Sequence, residues 1–101
     1  MRMMLDMEFP LEPFNTMVKN GTAGRTIEKV LGEIKPEAVY FAARNGKRGG
    51  TMIVDLPDAS AIPKIAEHLF LAFDASVEFI PCMTPEDLKK AGLDDLGKGY
   101  A

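Results

Sequence analysis

The sequence predicts one α+β domain whose elements follow the order β-α-β-β-α-β. Apolar residues alternate with a period of two near the N-terminus, and they recur at helical spacing in two later segments. An Asn-Gly turn separates two β-rich runs between those segments. The chain has 101 residues, enough for one hydrophobic core of ordinary size but not for two. We therefore expect residues 1–101 to form a single domain.

The first strand is predicted over residues 3–9, where every second side chain is apolar. The apolar spacing becomes helical from Phe14 and lasts to Ile34, with a glycine-containing break at residues 20–24. Pro36 ends the helical segment, because the residue before a proline avoids helical backbone angles.

Residues 38–44 and 51–56 are β-rich runs on either side of the Asn45-Gly46 turn. This dipeptide favours a two-residue hairpin turn, in which both central residues need positive φ. The register that follows pairs Tyr40 with Thr51 and separates an apolar face of the hairpin from a mixed one.

A second helix is predicted to run through Phe73 behind a cap at Asp58 or Ser60. Residues 77–82 then alternate as a last strand. Residues 84–101 are predicted to form a C-terminal helix and tail, since they begin with a threonine, a proline and two acidic residues.

This order of elements predicts a ferredoxin-like arrangement, in which four antiparallel strands form one sheet. Right-handed crossovers place both helices on the same face, where they cover Leu5, Phe41, Val54 and neighbouring apolar side chains. The other face is too apolar for solvent. We therefore predict that a second copy of the chain covers it, with these residues in the dimer interface: Met4, Tyr40, Ile53 and Ile80.

The order of elements, together with residues 79–88 (FIPCMTPEDL), resembles the dimeric α/β barrel superfamily. Residues 35–41 (KPEAVYF), 70–73 (FLAF) and 85–88 (PEDL) are similar to a family of short uncharacterised bacterial proteins. The resemblance implies a homodimer of two sheets packed face to face, often with a cleft between sheet and helices that binds a small organic molecule. Some members of the superfamily are cofactor-independent monooxygenases or muconolactone-type isomerases, and others bind haem. This chain has no tryptophan and no haem-ligand motif, so we expect no cofactor.

The candidate catalytic residues are Asp6, Asp55 and His68. Carboxylates gathered on a partly buried face have raised pKa values and can act as general acids or bases. Asp6 and Asp55 are expected to be close, because the first and third strands are neighbours in this topology. The alternative is that the acidic residues form hydrogen bonds and ion pairs, with Arg44 as the counter-ion. The candidate ligand-binding residues are Tyr40, Arg44, His68, Asp6 and Glu78.

His68 is the only histidine and Cys82 the only cysteine, so we expect no metal site and no internal disulfide. His68 can line a cleft or be a half-exposed helical residue without a role. The basic residues at the hairpin tip, Arg44, Lys47 and Arg48, could contact a phosphate group, but we interpret them as part of a solvated turn.

The net charge of −3, from 12 basic and 15 acidic residues, argues against a nucleic-acid partner. No apolar run approaches the ~18 residues of a membrane span. The N-terminal segment lacks the apolar region of a signal peptide. We therefore expect a cytoplasmic protein with no membrane partner.

These observations favour a homodimeric module that binds a small apolar or aromatic acid in a cleft near Tyr40, Arg44 and His68. Two alternatives stay open. One is a cofactor-independent isomerase or monooxygenase-like enzyme in which Asp6, Asp55 or His68 moves a proton. The other is a structural or regulatory dimer without a ligand.

Overall fold

Four antiparallel strands form a single sheet in the computed structural model, which describes residues 1–101. The strands are β1 (Arg2–Glu8), β2 (Ala38–Arg44), β3 (Lys47–Asp55) and β4 (Ser76–Pro81). The helices are α1 (Leu11–Lys19), α2 (Ala23–Ile34), α3 (Ala61–Phe73), α4 (Pro85–Lys90) and α5 (Leu93–Gly97), followed by a 3-10 turn (Lys98–Tyr100). The spatial order of the strands is β2-β3-β1-β4, so β2 and β4 form the edges. This α+β architecture is consistent with the predicted ferredoxin-like arrangement.

The predicted hairpin register is confirmed. Asn45 and Gly46 have positive φ values of 51° and 74°, as the two-residue turn requires. Tyr40 lies opposite Thr51, and the pairing continues up to the turn. For that reason β3 begins at Lys47 rather than at the predicted residue 51.

The hydrophobic core lies between the sheet and the helices. Leu5 of β1, Met52 of β3 and Leu69 of α3 are fully buried at its centre. The core contains no buried polar or charged residue. Its buried members are Met3, Leu5, Met7, Phe9, Phe14, Val30, Ile34, Met52, Val54, Leu56, Leu69, Phe73 and Ala75.

Phe41 departs from the predicted core, since 53% of its surface is exposed. It lies on β2, an edge strand with a neighbour on one side only. The expectation that the helices cover Phe41 was therefore wrong, and the space beside it is a cleft.

The helical segments follow the sequence prediction in number and order up to residue 73. The predicted break separates α1 from α2 and contains Gly21 at φ 79°. Ser60 precedes α3 but gives it no side-chain cap, because its hydroxyl and its N–H both donate to Asp58. None of the helices has the length and hydropathy that a bilayer crossing demands.

Candidate functional site

The outer face of the sheet, which the helices leave uncovered, is organised in rows across the four strands. The strand registers align an apolar row that consists of Ala38, Ile53, Met4 and Ile80. The adjacent row is polar and consists of Tyr40, Thr51, Asp6 and Glu78. This outer face therefore presents an apolar band directly beside a polar one.

Asp6 lies within a small hydrogen-bonded group on the outer face. Its Oδ1 accepts a hydrogen bond from the Thr51 hydroxyl and lies 3.7 Å from Nη2 of Arg44. The same Arg44 nitrogen donates to the Thr51 hydroxyl oxygen at 2.7 Å. Thr51 thus bridges Asp6 and Arg44. Arg44 is the counter-ion that we expected under the alternative in which the acidic residues form hydrogen bonds and ion pairs. The sequence analysis missed Thr51 as a site residue.

Two further acidic residues, Glu8 and Glu78, line a pocket of about 270 Å³ together with Asp6. Glu8 accepts a hydrogen bond of 2.7 Å from the side-chain amide of Asn45, and its Oε2 lies 3.9 Å from Nζ of Lys47. Glu78 forms no ion pair within the chain. The structure therefore brings Asp6, Glu8 and Glu78 together, and the charge of Glu78 has no ion-pair partner within the chain.

Asp55 lies apart from this cluster, so the expected proximity of Asp6 and Asp55 was wrong. β1 and β3 are neighbours as predicted, but the register places Thr51 opposite Asp6 and Arg2 opposite Asp55. Four residues of strand separate the two positions, about 13 Å. Asp55 instead accepts a hydrogen bond from the N-terminal amine at 3.2 Å.

The far end of the sheet holds a further surface ion pair, between Arg2 and Glu37. Nε and Nη2 of Arg2 each donate to one Glu37 carboxylate oxygen at 3.1 Å. These hydrogen bonds, reinforced by the charge of Glu37, raise the pKa of Arg2 above its ordinary value. Both side chains are solvent-accessible, so we assign this pair no large stabilisation.

His68 lies far from the other candidates, in a groove between α2 and α3. The groove has a volume of about 600 Å³, and only residues of those two helices line it. Tyr40 and Arg44 belong to the sheet, on strand β2. The structure therefore does not bring Tyr40, Arg44 and His68 into one cleft. It also leaves Tyr40 with 74% of its surface exposed.

A cleft between the sheet and the helices does exist, at the β2 edge near the hairpin turn. We call it the hairpin cleft, and its volume is about 680 Å³. Its apolar walls come from Phe9, Leu11, Phe14, Ile27, Phe41, Ala42 and Ala43. The hairpin contributes Gly46, Lys47, Arg48 and Gly49. No carboxylate lines it.

Three phenylalanine rings that contact one another hold the wall of the hairpin cleft in place. The centroids of Phe9 and Phe14 are 5.4 Å apart, and both rings lie within 5.5 Å of the ring of Phe73. The Phe9 N–H donates to the Arg48 carbonyl at 2.8 Å, which ties the end of β1 to the start of β3. The aromatic wall is therefore anchored both to α3 and to the hairpin.

Arg48 is positioned by two contacts rather than solvated at the hairpin tip. Its Nη1 donates to Oδ1 of Asn15 on α1 at 2.8 Å. Its Cζ lies 4.8 Å from the centroid of the Phe14 ring, a cation–π distance. The interpretation of Arg48 as part of a solvated turn was wrong. The hydrophobic pattern could have pointed to it, since β3 alternates and Arg48 occupies an inward position.

No group of three or more histidine, cysteine, aspartate or glutamate residues is arranged to hold a metal ion. The acidic pocket on the outer face thus offers carboxylates without metal-ligand geometry.

Comparison with known proteins adds no assignment. The sequence matches no protein-family model and no curated protein.

Proposed function

We propose that this protein is a homodimeric module that binds a small organic acid in the hairpin cleft. The observation that carries the proposal is Arg48, a cation fixed at the rim of an otherwise apolar cleft without a carboxylate.

The cleft favours a ligand with an apolar or aromatic body. Its volume of about 680 Å³ falls within the range of roughly 300–1,000 Å³ that is typical of small-molecule sites. Phe41, with 53% of its surface exposed, presents ring surface to it, and the buried rings of Phe9 and Phe14 lie behind the wall. Aromatic rings pack favourably in offset or edge-to-face geometry, so a planar ligand suits this wall.

The charge of the cleft favours an anionic group on that ligand. A guanidinium has five N–H donors, and Asn15 takes one hydrogen bond from Arg48. The remaining donors can bind a carboxylate in the two-pronged geometry typical of arginine. Lys47 also lines the cleft, but its Nζ lies 3.9 Å from Glu8 Oε2, so Arg48 is the cation that we assign to the ligand. The contacts with Asn15 and Phe14 fix Arg48 beforehand, which lowers the entropic cost of binding.

The outer face supports the homodimer part of the proposal. Met4, Ile53 and Ile80 form most of an apolar row across the middle of the sheet. Each of these three side chains is half-buried in the single chain, and an apolar surface rimmed by polar groups is typical of a protein interface. A two-fold axis would bring this surface against its own copy, as isologous dimers require.

For the acidic residues of the outer face we propose a structural role. Asp6 has both a hydroxyl donor, Thr51, and a counter-ion, Arg44. Thr51 belongs to β3 and Arg44 to β2, so Asp6 on β1 links three strands through these contacts.

Ligand binding can be tested by thermal denaturation with benzoate and phenylacetate, against benzamide as the uncharged control. Ligand at ten times its Kd adds about 1.4 kcal/mol to the free energy of unfolding. In a domain of this size that corresponds to a rise in Tm of roughly 6–10 °C. We expect the acids to raise Tm and benzamide to have little effect.

Two arginine variants make the test specific for the cleft. Arg48→Gln should lose the Tm rise given by the acids, measured against its own ligand-free Tm. Arg25→Gln, in the α2–α3 groove, should keep it. An equal Tm rise in both variants would exclude the hairpin cleft as the binding site, and no rise with any acid would refute the proposed ligand class.

The homodimer can be tested separately by sedimentation. Wild-type protein should sediment at twice the chain mass of 11.1 kDa. Ile53→Asp should shift the equilibrium towards the monomer, because it would place a charge in the apolar row. Leu71→Asp on α3 is the matched control, since Leu71 is exposed outside the outer face. A wild-type monomer at all concentrations would contradict the homodimer.

A further inference from the structure

The C-terminal arm, residues 85–101, extends from the domain, and no other part of the chain covers its apolar side chains. Every residue of the arm is exposed. The radius of gyration is 17.3 Å, against about 13 Å for a compact domain of this length, and the longest dimension is 62 Å. Its large apolar residues are Leu88, Leu93, Leu96 and Tyr100.

The arm is nevertheless built from well-formed helical turns. Thr84 and Asp87 form a capping box at the start of α4, with Pro85 at its first position. The hydrogen bond that Asp87 accepts from the Thr84 backbone lowers the pKa of Asp87. Gly92 at φ 63° then turns the chain from α4 into α5.

Helices of six and five residues are far below the ~12–15 residues that give even marginal stability to an isolated helix in water. Helices this short persist when they pack against a protein surface. The domain provides no such surface within the chain, because no residue of α4, α5 or the 3-10 turn is buried. The surface must therefore come from another molecule.

The arm begins at the border of the outer face. The Cys82 N–H donates to the Arg2 carbonyl at 3.2 Å, so the chain leaves the sheet beside the first residue of β1. The charge of Asp87 acts on the Arg2 guanidinium from the first turn of α4. A molecule that covers the outer face would therefore lie next to the base of the arm.

The outer face alone is small for a stable dimer. Four strands of about seven residues give a rectangle of about 19 by 23 Å, or roughly 440 Å² in projection. A standard interface buries about 800 Å² of accessible surface on each partner, and the accessible surface of uneven side chains is larger than their projected area. The exposed apolar residues of the arm would add to the surface that the outer face can bury.

We propose that the C-terminal arm packs against a second copy of this chain, so that residues 85–101 of each subunit contact the other subunit of the homodimer. This inference rests on the homodimer proposed above. It commits to a second copy because the outer face requires a cover and the arm starts at its border.

A single tryptophan at the end of the arm tests this in the full chain. The protein has no tryptophan, so Tyr100→Trp gives a fluorescence signal from the arm alone. Emission and sedimentation are measured on the same samples over a concentration series that spans the monomer–dimer transition. We expect the emission to shift to the blue in step with dimer formation.

Each other outcome overturns the inference in a distinguishable way. A dimer with solvent-like emission throughout would remove the arm from the interface and leave the homodimer intact. A blue-shifted emission in the monomer would place the arm on its own domain. A monomer at all concentrations would refute the arm inference and the homodimer together.

A double variant in the Tyr100→Trp background checks the apolar residues themselves. Leu93→Glu with Leu96→Glu should abolish the blue shift and weaken dimerisation at least tenfold. Leu71→Glu on α3 should leave both signals unchanged, since Leu71 is outside the arm and the outer face. Equal effects of the two variants would overturn the inference.

Discussion

Replacing Gly50 by alanine should destabilise the protein, whereas the same change at Gly32 should stabilise it. Gly50 is buried on β3 opposite Phe41, and a Cβ there would collide with the carbonyl oxygen of Tyr40. It would also lie 3.1 Å from Cε of Met7. Gly32 is exposed in α2, and a Cβ there would have no neighbour within 4 Å.

The loss of unfolding free energy in Gly50→Ala depends on which atoms must move to make room for the new Cβ. The Met7 terminal methyl can rotate away, but the Tyr40 carbonyl belongs to the backbone of the edge strand and can yield only by shifting β2. Overpacking of this kind costs about 1–3 kcal/mol, and a weakened ladder hydrogen bond adds about 0.5–1.5 kcal/mol. We expect Gly50→Ala to lose roughly 2–4 kcal/mol of unfolding free energy. Gly32→Ala should gain about 0.5–1 kcal/mol, because glycine is a poor helix former.

Urea denaturation followed by circular dichroism measures both variants against wild type. The midpoint should fall for Gly50→Ala and rise for Gly32→Ala at an unchanged m-value. If Gly50→Ala stays within about 0.5 kcal/mol of wild type, β2 does not pack as closely on β3 as described here. The hairpin cleft, whose outer wall is β2, would then have a different shape.

Three further perturbations test the site and its supports. Thr51→Val removes the hydroxyl that donates to Asp6 and should cost about 0.5–1.5 kcal/mol in urea denaturation; a gain in stability would show that the bridge on the outer face contributes nothing. The pKa of Asp87 lies below its ordinary value, so the stability that its capping contact contributes is present above the unfolded pKa of about 3.9 and is lost as the pH falls through the lowered value. An NMR titration should find the pKa of Asp87 below about 3.9, and an ordinary value would contradict the capping contact. Phe73→Ala should cost about 3–5 kcal/mol in urea, since the ring is buried, stacks on Phe14 and contacts Phe9 in a tilted geometry, and a cost below about 1 kcal/mol would contradict that packing.

Features of the fold that depend on local sequence were predicted correctly. The Asn45-Gly46 turn set the β2–β3 register because both residues adopt the positive φ that a two-residue hairpin turn requires. The alternation of β1 and the break before α2 were visible for the same reason. Each is decided by residues that are neighbours in the chain.

Features that depend on contacts between distant segments were not predictable in the same way. More than 40 residues separate Asp6 from Thr51, and no turn fixes the β1–β3 register, so the sequence did not distinguish Thr51 from Asp55 as the partner of Asp6. Phe41 followed the apolar pattern of a covered residue. Its exposure comes from the edge position of β2, which is a property of the whole sheet.

The candidate site was predicted in kind but not in composition. A cleft between sheet and helices was expected, and one is present at the hairpin, but Tyr40 and His68 do not line it. Arg48 was overlooked because basic residues beside a Gly-containing turn are usually solvated. Its role depends on Asn15 and Phe14, which reach it from α1 across a long stretch of chain.

The two proposed activities, dimerisation and ligand binding, involve opposite faces of the hairpin, because its side chains alternate between the faces of the sheet. Arg44 points to the outer face, where it joins Thr51 and Asp6, while Arg48 points inward to the hairpin cleft. Successive side chains of a strand alternate between the faces of a sheet, so one short segment can supply a cation to an interface and another to a binding site. At Gly50 the backbones of β2 and β3 pack so closely that a Cβ would collide with the Tyr40 carbonyl oxygen. If both proposals hold, dimerisation and ligand binding use different side chains of the same hairpin, whose backbone is the element that they share.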